Sequence, residues 1–259
     1  MPHVDVDGAR LWVEEAGQGP AVVFVHGGLG DLRLWEPQAR ALAGRFRCIR
    51  YDLRFWGRSW APGVEFSSLD DLVGVLDALG VERAALVGLS LGGALSLDIA
   101  LAHPERVWAL VHVAGAVTGM PLDLSTAEQE AAYEEAVERG DLDAAMALDF
   151  AVWAPLGADE TIRELWLATP DAHGLPEGAK PRPRPDAHER LEEVAAPTLV
   201  VLATHDPPEL RAQGETVARR VPGARLVEID SDHYLTLRAA DQVNELLLEF
   251  LVATAPPQQ

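Results

Sequence analysis

A single cysteine, Cys48, stands among the 259 residues, which excludes an internal disulfide framework and any cysteine-based metal site. Positive charge is scarce. Against 41 Asp+Glu there are 21 Lys+Arg, a formal net charge of −20. Binding phosphate needs clustered Lys and Arg, so neither nucleic acid nor an anionic membrane surface is an expected partner. Long apolar runs are missing too: the uncharged stretch 84–97 holds three glycines and two serines and is too short to span a bilayer. The opening MPHVDVDGAR lacks the basic start and apolar run of a secretory leader, so a cytoplasmic protein is expected. The glycine-rich His26-Gly27-Gly28-Leu29-Gly30 is not followed by Gly-Lys-Ser/Thr, which rules out a phosphate-binding P-loop.

What is present is an ordinary globular composition, 48% apolar and 24% charged, long enough to bury a substantial core. Short apolar runs at Pro20–Val25, Arg47–Tyr51, Ala84–Gly88, Val107–Ala114, Thr198–Ala203 and Leu226–Ile229 read as strands. Runs of this length suit parallel strands covered on both faces. Arg10–Glu15 is expected to form a hairpin with the first of them. Helical stripes lie between, such as Leu69, Leu72, Val73, Leu76 and Leu79 after Ser68 as N-cap, and Val243, Leu246, Leu247, Phe250 and Leu251 near the end. Strand–helix alternation of this kind predicts an α/β fold with a mainly parallel central sheet and flanking helices.

The stretch 120–190 breaks the alternation. No strand run is evident there. Ser125-Thr126-Ala127-Glu128 reads as a capping box opening a Glu-rich helix, and helical patterns cover Asp141–Trp153 and Asp159–Ala168. Pro176–Pro185, with four prolines, reads as the way back to the core. The expectation is one sheet domain, residues 1–119 with 191–259, and a helical cap over 120–190.

Gly88-Leu89-Ser90-Leu91-Gly92 matches G-x-S-x-G between a strand run and a helical stretch, the context that gives the motif physical meaning. Glycines flanking Ser90 permit a sharp turn that exposes its hydroxyl, while the Leu91 N–H faces developing negative charge. The bland alternative is a glycine-rich turn with a satisfied serine. A serine hydroxyl needs a base, and the base a third group to orient it. Asp206 after Thr198–Ala203 and His233 after Leu226–Ile229 occupy later strand ends in the required order; Asp230 and Asp232 compete for the acid's part. Gly28 is a candidate second oxyanion donor.

With these residues in hand, residues 9–253 resemble the α/β-hydrolase superfamily, in particular capped serine esterases and enol-lactonase-like members. The likeness rests on His26-Gly27-Gly28, Tyr51-Asp52-Leu53-Arg54 with Gly57-Arg58-Ser59, Gly88–Gly93, Ala102–Val107, Asp206 and His233. It implies that Ser90, Asp206 and His233 form a triad, that Gly28 and Leu91 supply the oxyanion hole, and that no cofactor or metal is required. The implied substrate is a small carboxylic ester or lactone, and the implied assembly a monomer or homodimer. Three positions depart from the family pattern: Phe55, Ala203 and Asp232 stand where glycine is usual. Such changes are expected to signal a site diverged or rebuilt for unusual chemistry. Rivals on the same fold are a C–C hydrolase or lyase, and a small-molecule-binding protein with little turnover.

Leu29, Trp56, Trp153 and Trp166 are candidates for the pocket wall; Trp35 and Trp60 also fall near pocket loops. His3, His103, His112, His173 and His188 show no ligand spacing, and His112, inside a strand run, reads as a hydrogen-bonded core histidine.

Overall fold

The computed structural model describes residues 2–124 and 126–257. Eight strands form one sheet: β1 (His3–Val6), β2 (Ala9–Ala16), β3 (Ala21–Val25), β4 (Arg47–Tyr51), β5 (Ala84–Leu89), β6 (Val107–Val113), β7 (Thr198–Ala203) and β8 (Arg225–Ile229). Their spatial order is β1-β2-β4-β3-β5-β6-β7-β8. At one edge β2 runs antiparallel to both β1 and β4, and the others pair in parallel. β3, β5, β6 and β7 are buried throughout, as their unbroken apolar runs predict. Alternate residues serve the two faces: Val23, Val25 and Leu86 enter one core, Val22, Phe24 and Val87 the other.

Helices cover both faces: α1 (Glu36–Leu42), α2 (Ser68–Ala78), α3 (Leu91–Ala102), α4 (Ala127–Glu138), α5 (Leu142–Trp153), α6 (Glu160–Leu167), α7 (Pro208–Arg220) and α8 (Ala240–Thr254). α4–α6 fill the chain between β6 and β7. Residues of these helices gather a small cluster of Ala136, Ala145, Met146 and Trp166, while Ile162 and Leu165 of the amphipathic α6 join one of the two sheet cores.

Local differences from expectation have identifiable causes. β2 pairs with β1 and β4, not with β3. The hairpin partner is set by Asp7-Gly8, whose φ angles of 43° and 75° are those of a tight turn that matches strand twist. α2 is capped by Ser67, whose hydroxyl accepts from the Asp70 N–H, rather than by Ser68. α4 is opened by Thr126 paired with Gln129, one residue beyond the expected box. Ser125, part of that expectation, lies outside the described residues, as do the final Gln258-Gln259 and the side chain of His173. A two-residue strand, Lys180–Pro181, does occur in the segment expected to lack strands, pairing with Glu65–Phe66.

Candidate active site

The strand registers bring four loops to one edge. Val25 lies opposite Gly88 and Tyr51, Leu89 opposite Val113, and Ile229 opposite Ala203, so the loops after β3, β5, β7 and β8 leave the sheet together at its carboxyl ends. In open α/β sheets this is where ligands bind.

Ser90 joins β5 to α3 with φ 54° and ψ −117°, a conformation that non-glycine residues rarely hold. The surroundings enforce it. Its N–H donates to the Val113 carbonyl at 3.0 Å, and its carbonyl accepts from the N–H groups of Ala94 and Ala116. The glycines of the motif are required by contact: a Cβ at Gly88 would strike the Gly92 carbonyl, and one at Gly92 the Val25 carbonyl. Gly27 approaches from the neighbouring loop, where an added Cβ would lie 3.1 Å from the Ser90 Cβ. Leu91 opens α3, so its N–H belongs to the first helical turn, which has no partner within the helix.

The loop after β3 is tied down by its carbonyls. The buried His26 ring donates from Nδ1 to the Gly27 carbonyl at 2.7 Å and accepts at Nε2 from the Leu53 N–H at 2.9 Å. The Trp56 indole donates to the Gly28 carbonyl at 2.8 Å, and the Tyr234 hydroxyl to the Leu29 carbonyl at 3.3 Å. With three successive carbonyls fastened, the loop is rigid, and the space beside Gly28 is open: a Cβ there would meet nothing within 4 Å.

Asp206 and His233 meet directly. His233 Nδ1 donates to Asp206 Oδ1 at 3.0 Å, with both side chains almost wholly buried. Asp230 instead engages His205 and Thr204, and Asp232 engages Arg238, so of the three carboxylates it is Asp206 that hydrogen-bonds His233. His233 Nε2, on the far side of the ring, has no partner among the described residues. No hydrogen bond joins it to Ser90 Oγ among those residues. Trp153, the last residue of α5, lays its indole against the His233 ring, centroids 4.5 Å apart. Trp166 is spent elsewhere: wholly buried, it donates to Asp149 and packs within the α4–α6 cluster.

Of the three glycine departures, Phe55 adopts the left-handed conformation itself, φ 75°, and recovers the strain by burying its ring edge-on against Phe66 at 5.3 Å. Ala203 is absorbed into the core at the end of β7. Asp232 alone places a carboxylate in the loop after β8, next to His233. Sequence reasoning missed its partner, Arg238, and also Tyr234; each also reaches a distant loop, Arg238 at Gly157 and Tyr234 at Leu29, which no local signal gives.

A cleft lined by Glu14, Asp31, Arg33, Glu36, Asp52 and Arg58 lies beside this edge, but contains none of Ser90, Asp206 and His233. Among the described residues no group of three His, Cys, Asp or Glu is placed to hold a metal, and no helix is long and apolar enough to cross a membrane.

His112 supports the Ser90 turn from below: Nε2 donates to the Ala116 carbonyl at 3.1 Å, and the Ala116 N–H in turn reaches Ser90. Burial holds both His112 and His26 down to about 4, from an ordinary 6.5. An unfolded chain takes up these protons below pH 6.5, whereas the folded protein refuses them until about 4, so stability is lost as pH falls through that window. Asp52 and Asp98, raised by burial to about 7 and about 6, act with the opposite sign over the same range. A difference measurement therefore isolates the histidine. His112→Gln keeps a donor for Ala116 and removes the titration; its urea-unfolding free energy should fall less steeply between pH 6.5 and 4, by up to about 1.4 kcal/mol per pH unit. Parallel profiles for the two proteins would contradict the buried, neutral ring.

Comparison with known proteins agrees with the fold. The profile of the alpha/beta hydrolase fold family matches residues 20–239. A 3-oxoadipate enol-lactonase of Acinetobacter baylyi is 25% identical over 244 residues, 90% of this chain and 88% of that protein. A pimeloyl-[acyl-carrier protein] methyl ester esterase of Aeromonas hydrophila is 29% identical over 250 residues, covering 92% and 98%. The solved enol-lactonase from Burkholderia xenovorans superposes with a TM-score of 0.70 at 27% identity, covering 97% and 100%.

Proposed function

Because the chain belongs to the alpha/beta hydrolase fold family, we propose that it is a serine hydrolase cleaving small carboxylic esters or lactones through an acyl-enzyme, with α4–α6 and the flanking segment 120–190 as its cap. The observation that carries this reading is the pairing of Asp206 with His233, which leaves Nε2 free at the sheet edge where Ser90 is held in its strained turn.

The steps follow from the groups. Ser90 Oγ attacks the acyl carbon as His233 Nε2 takes its proton, and Asp206 holds the ring in the tautomer with Nδ1–H and steadies the imidazolium. The oxyanion is met by the N–H groups of Gly28 and Leu91, which cost no reorganisation because their loops are already fixed. The proton then passes to the departing alkoxide, leaving acyl-Ser90 and free alcohol, or the tethered hydroxyl of an opened lactone. Water, deprotonated by the same Nε2, attacks the ester of Ser90 and releases the acid. Leu29, Trp56 and Trp153 line the acyl side in this reading, and a net charge of −20 disfavours polyanionic substrates.

The relatives support both substrate classes: one curated relative is named for an enol-lactone, the other for a methyl ester. The test is turnover of p-nitrophenyl acetate and octanoate beside a five-membered enol-lactone, with and without prior phosphonylation. Turnover that phosphonylation abolishes is the expected result. Well-folded protein that binds these compounds without turning them over would favour a binding protein on the same fold.

A further inference from the structure

Asp232 stands immediately before the proposed base, and its side chain is wholly buried. It is fully engaged. Oδ1 accepts from Arg238 Nε at 2.8 Å and from the Tyr234 N–H at 3.2 Å, while Oδ2 accepts from the Leu156 N–H at 3.3 Å. Arg238 reaches on to donate through Nη2 to the Gly157 carbonyl. The two side chains thus grip the turn 154–157, which connects α5 to α6, by one N–H and one carbonyl. Leu156 is 51% exposed, so little of that grip comes from its burial. Just ahead of the turn is Trp153, whose ring rests on His233.

Building on the serine-hydrolase reading, we infer that Asp232 and Arg238 are positioning residues that latch the cap to the base-bearing loop. The latch fixes Trp153 over His233 as a rigid wall of the acyl site, and thereby limits the length of acyl group accepted. A carboxylate buried without a partner is strongly disfavoured, which keeps the pair closed whenever the loop is folded. A residue without a carboxylate at position 232 supplies no such latch, so the Asp232–Arg238 pair acts as a specificity device.

Two readouts separate this inference from the reading beneath it. Hydrogen–deuterium exchange of the peptide spanning 154–157 needs no catalysis. In Asp232→Asn and in Arg238→Gln its amides should exchange at least about tenfold faster, with α8 unchanged. The ratio of kcat/KM for p-nitrophenyl octanoate to that for the acetate should rise about tenfold in both variants, the gain falling on the KM of octanoate. Unchanged exchange overturns the latch. Faster exchange with an unchanged ratio overturns its part in selectivity, and an effect in Asp232→Asn alone shows that the carboxylate, without Arg238, holds the turn. If the unaltered enzyme turns over no ester, the serine-hydrolase reading and the selectivity fail together, while exchange alone decides the latch.

Discussion

Replacing Ser90 with alanine should lower kcat on a small ester by about 10⁴–10⁶, with His233→Ala close behind and the double substitution scarcely worse than either. Non-additivity follows from the proposed roles: the hydroxyl and the imidazole move one proton between them, so removing either stops the same step. In the proposed mechanism the residual rate comes from the Gly28 and Leu91 amides and from binding. Ser90→Gly should be equally inactive but more stable than the parent. At φ 54° and ψ −117° the serine Cβ is strained, and glycine relieves a strain of about 1–3 kcal/mol, less the entropy that glycine loses on folding. Ser90→Ala keeps the Cβ and should show no such gain. Urea midpoints for the three proteins check this, and a glycine variant no more stable than the alanine one would mean the turn stores no strain.

The largest effect on stability should come from Arg54 and Asp71. The guanidinium and carboxylate form a bidentate pair, Nε–Oδ2 2.8 Å and Nη2–Oδ1 2.6 Å, with side chains 1% and 3% exposed. Arg54 also lies over the Phe66 ring, 5.3 Å from its centroid. Arg54→Met leaves the Asp71 carboxylate buried and alone, and should cost about 3–5 kcal/mol. The pair itself is worth far less than that, because forming it strips water from both charges. Arg54→Met with Asp71→Leu should therefore recover most of the loss, and a double-mutant cycle should return a large coupling. A single substitution costing under about 1 kcal/mol would mean that water reaches the pair.

What the sequence makes legible is whatever short-range chemistry or period dictates. The buried strands β3, β5, β6 and β7 announce themselves because parallel strands covered on both faces need unbroken apolar runs. The Ser90 turn is legible because only glycine fits where Gly88 and Gly92 meet neighbouring backbone. Asp206 and His233 follow from the order of strand ends, which the registers bring to one edge. Pairing choice is less legible. Asp7-Gly8 is a strong local hairpin signal, yet the apolar pattern of residues 10–15 does not say which strand lies on their other side. Caps shift by a residue because Ser67 and Ser68, or Ser125 and Thr126, offer the same chemistry side by side. Phe55 shows that a residue unsuited to positive φ takes it when packing compensates. Least legible is the latch: nothing local in Asp232 or Arg238 points to Leu156 and Gly157, some eighty residues earlier.

The central claim is that Ser90 is an activated nucleophile. Intact-mass analysis after brief exposure to a fluorophosphonate, followed by peptide mapping, tests it most directly. One adduct per chain, carried on Ser90, absent in Ser90→Ala and slowed at least about a hundredfold in His233→Ala, is the predicted result. An unmodified mass in well-folded protein, or an adduct on another residue, would contradict it.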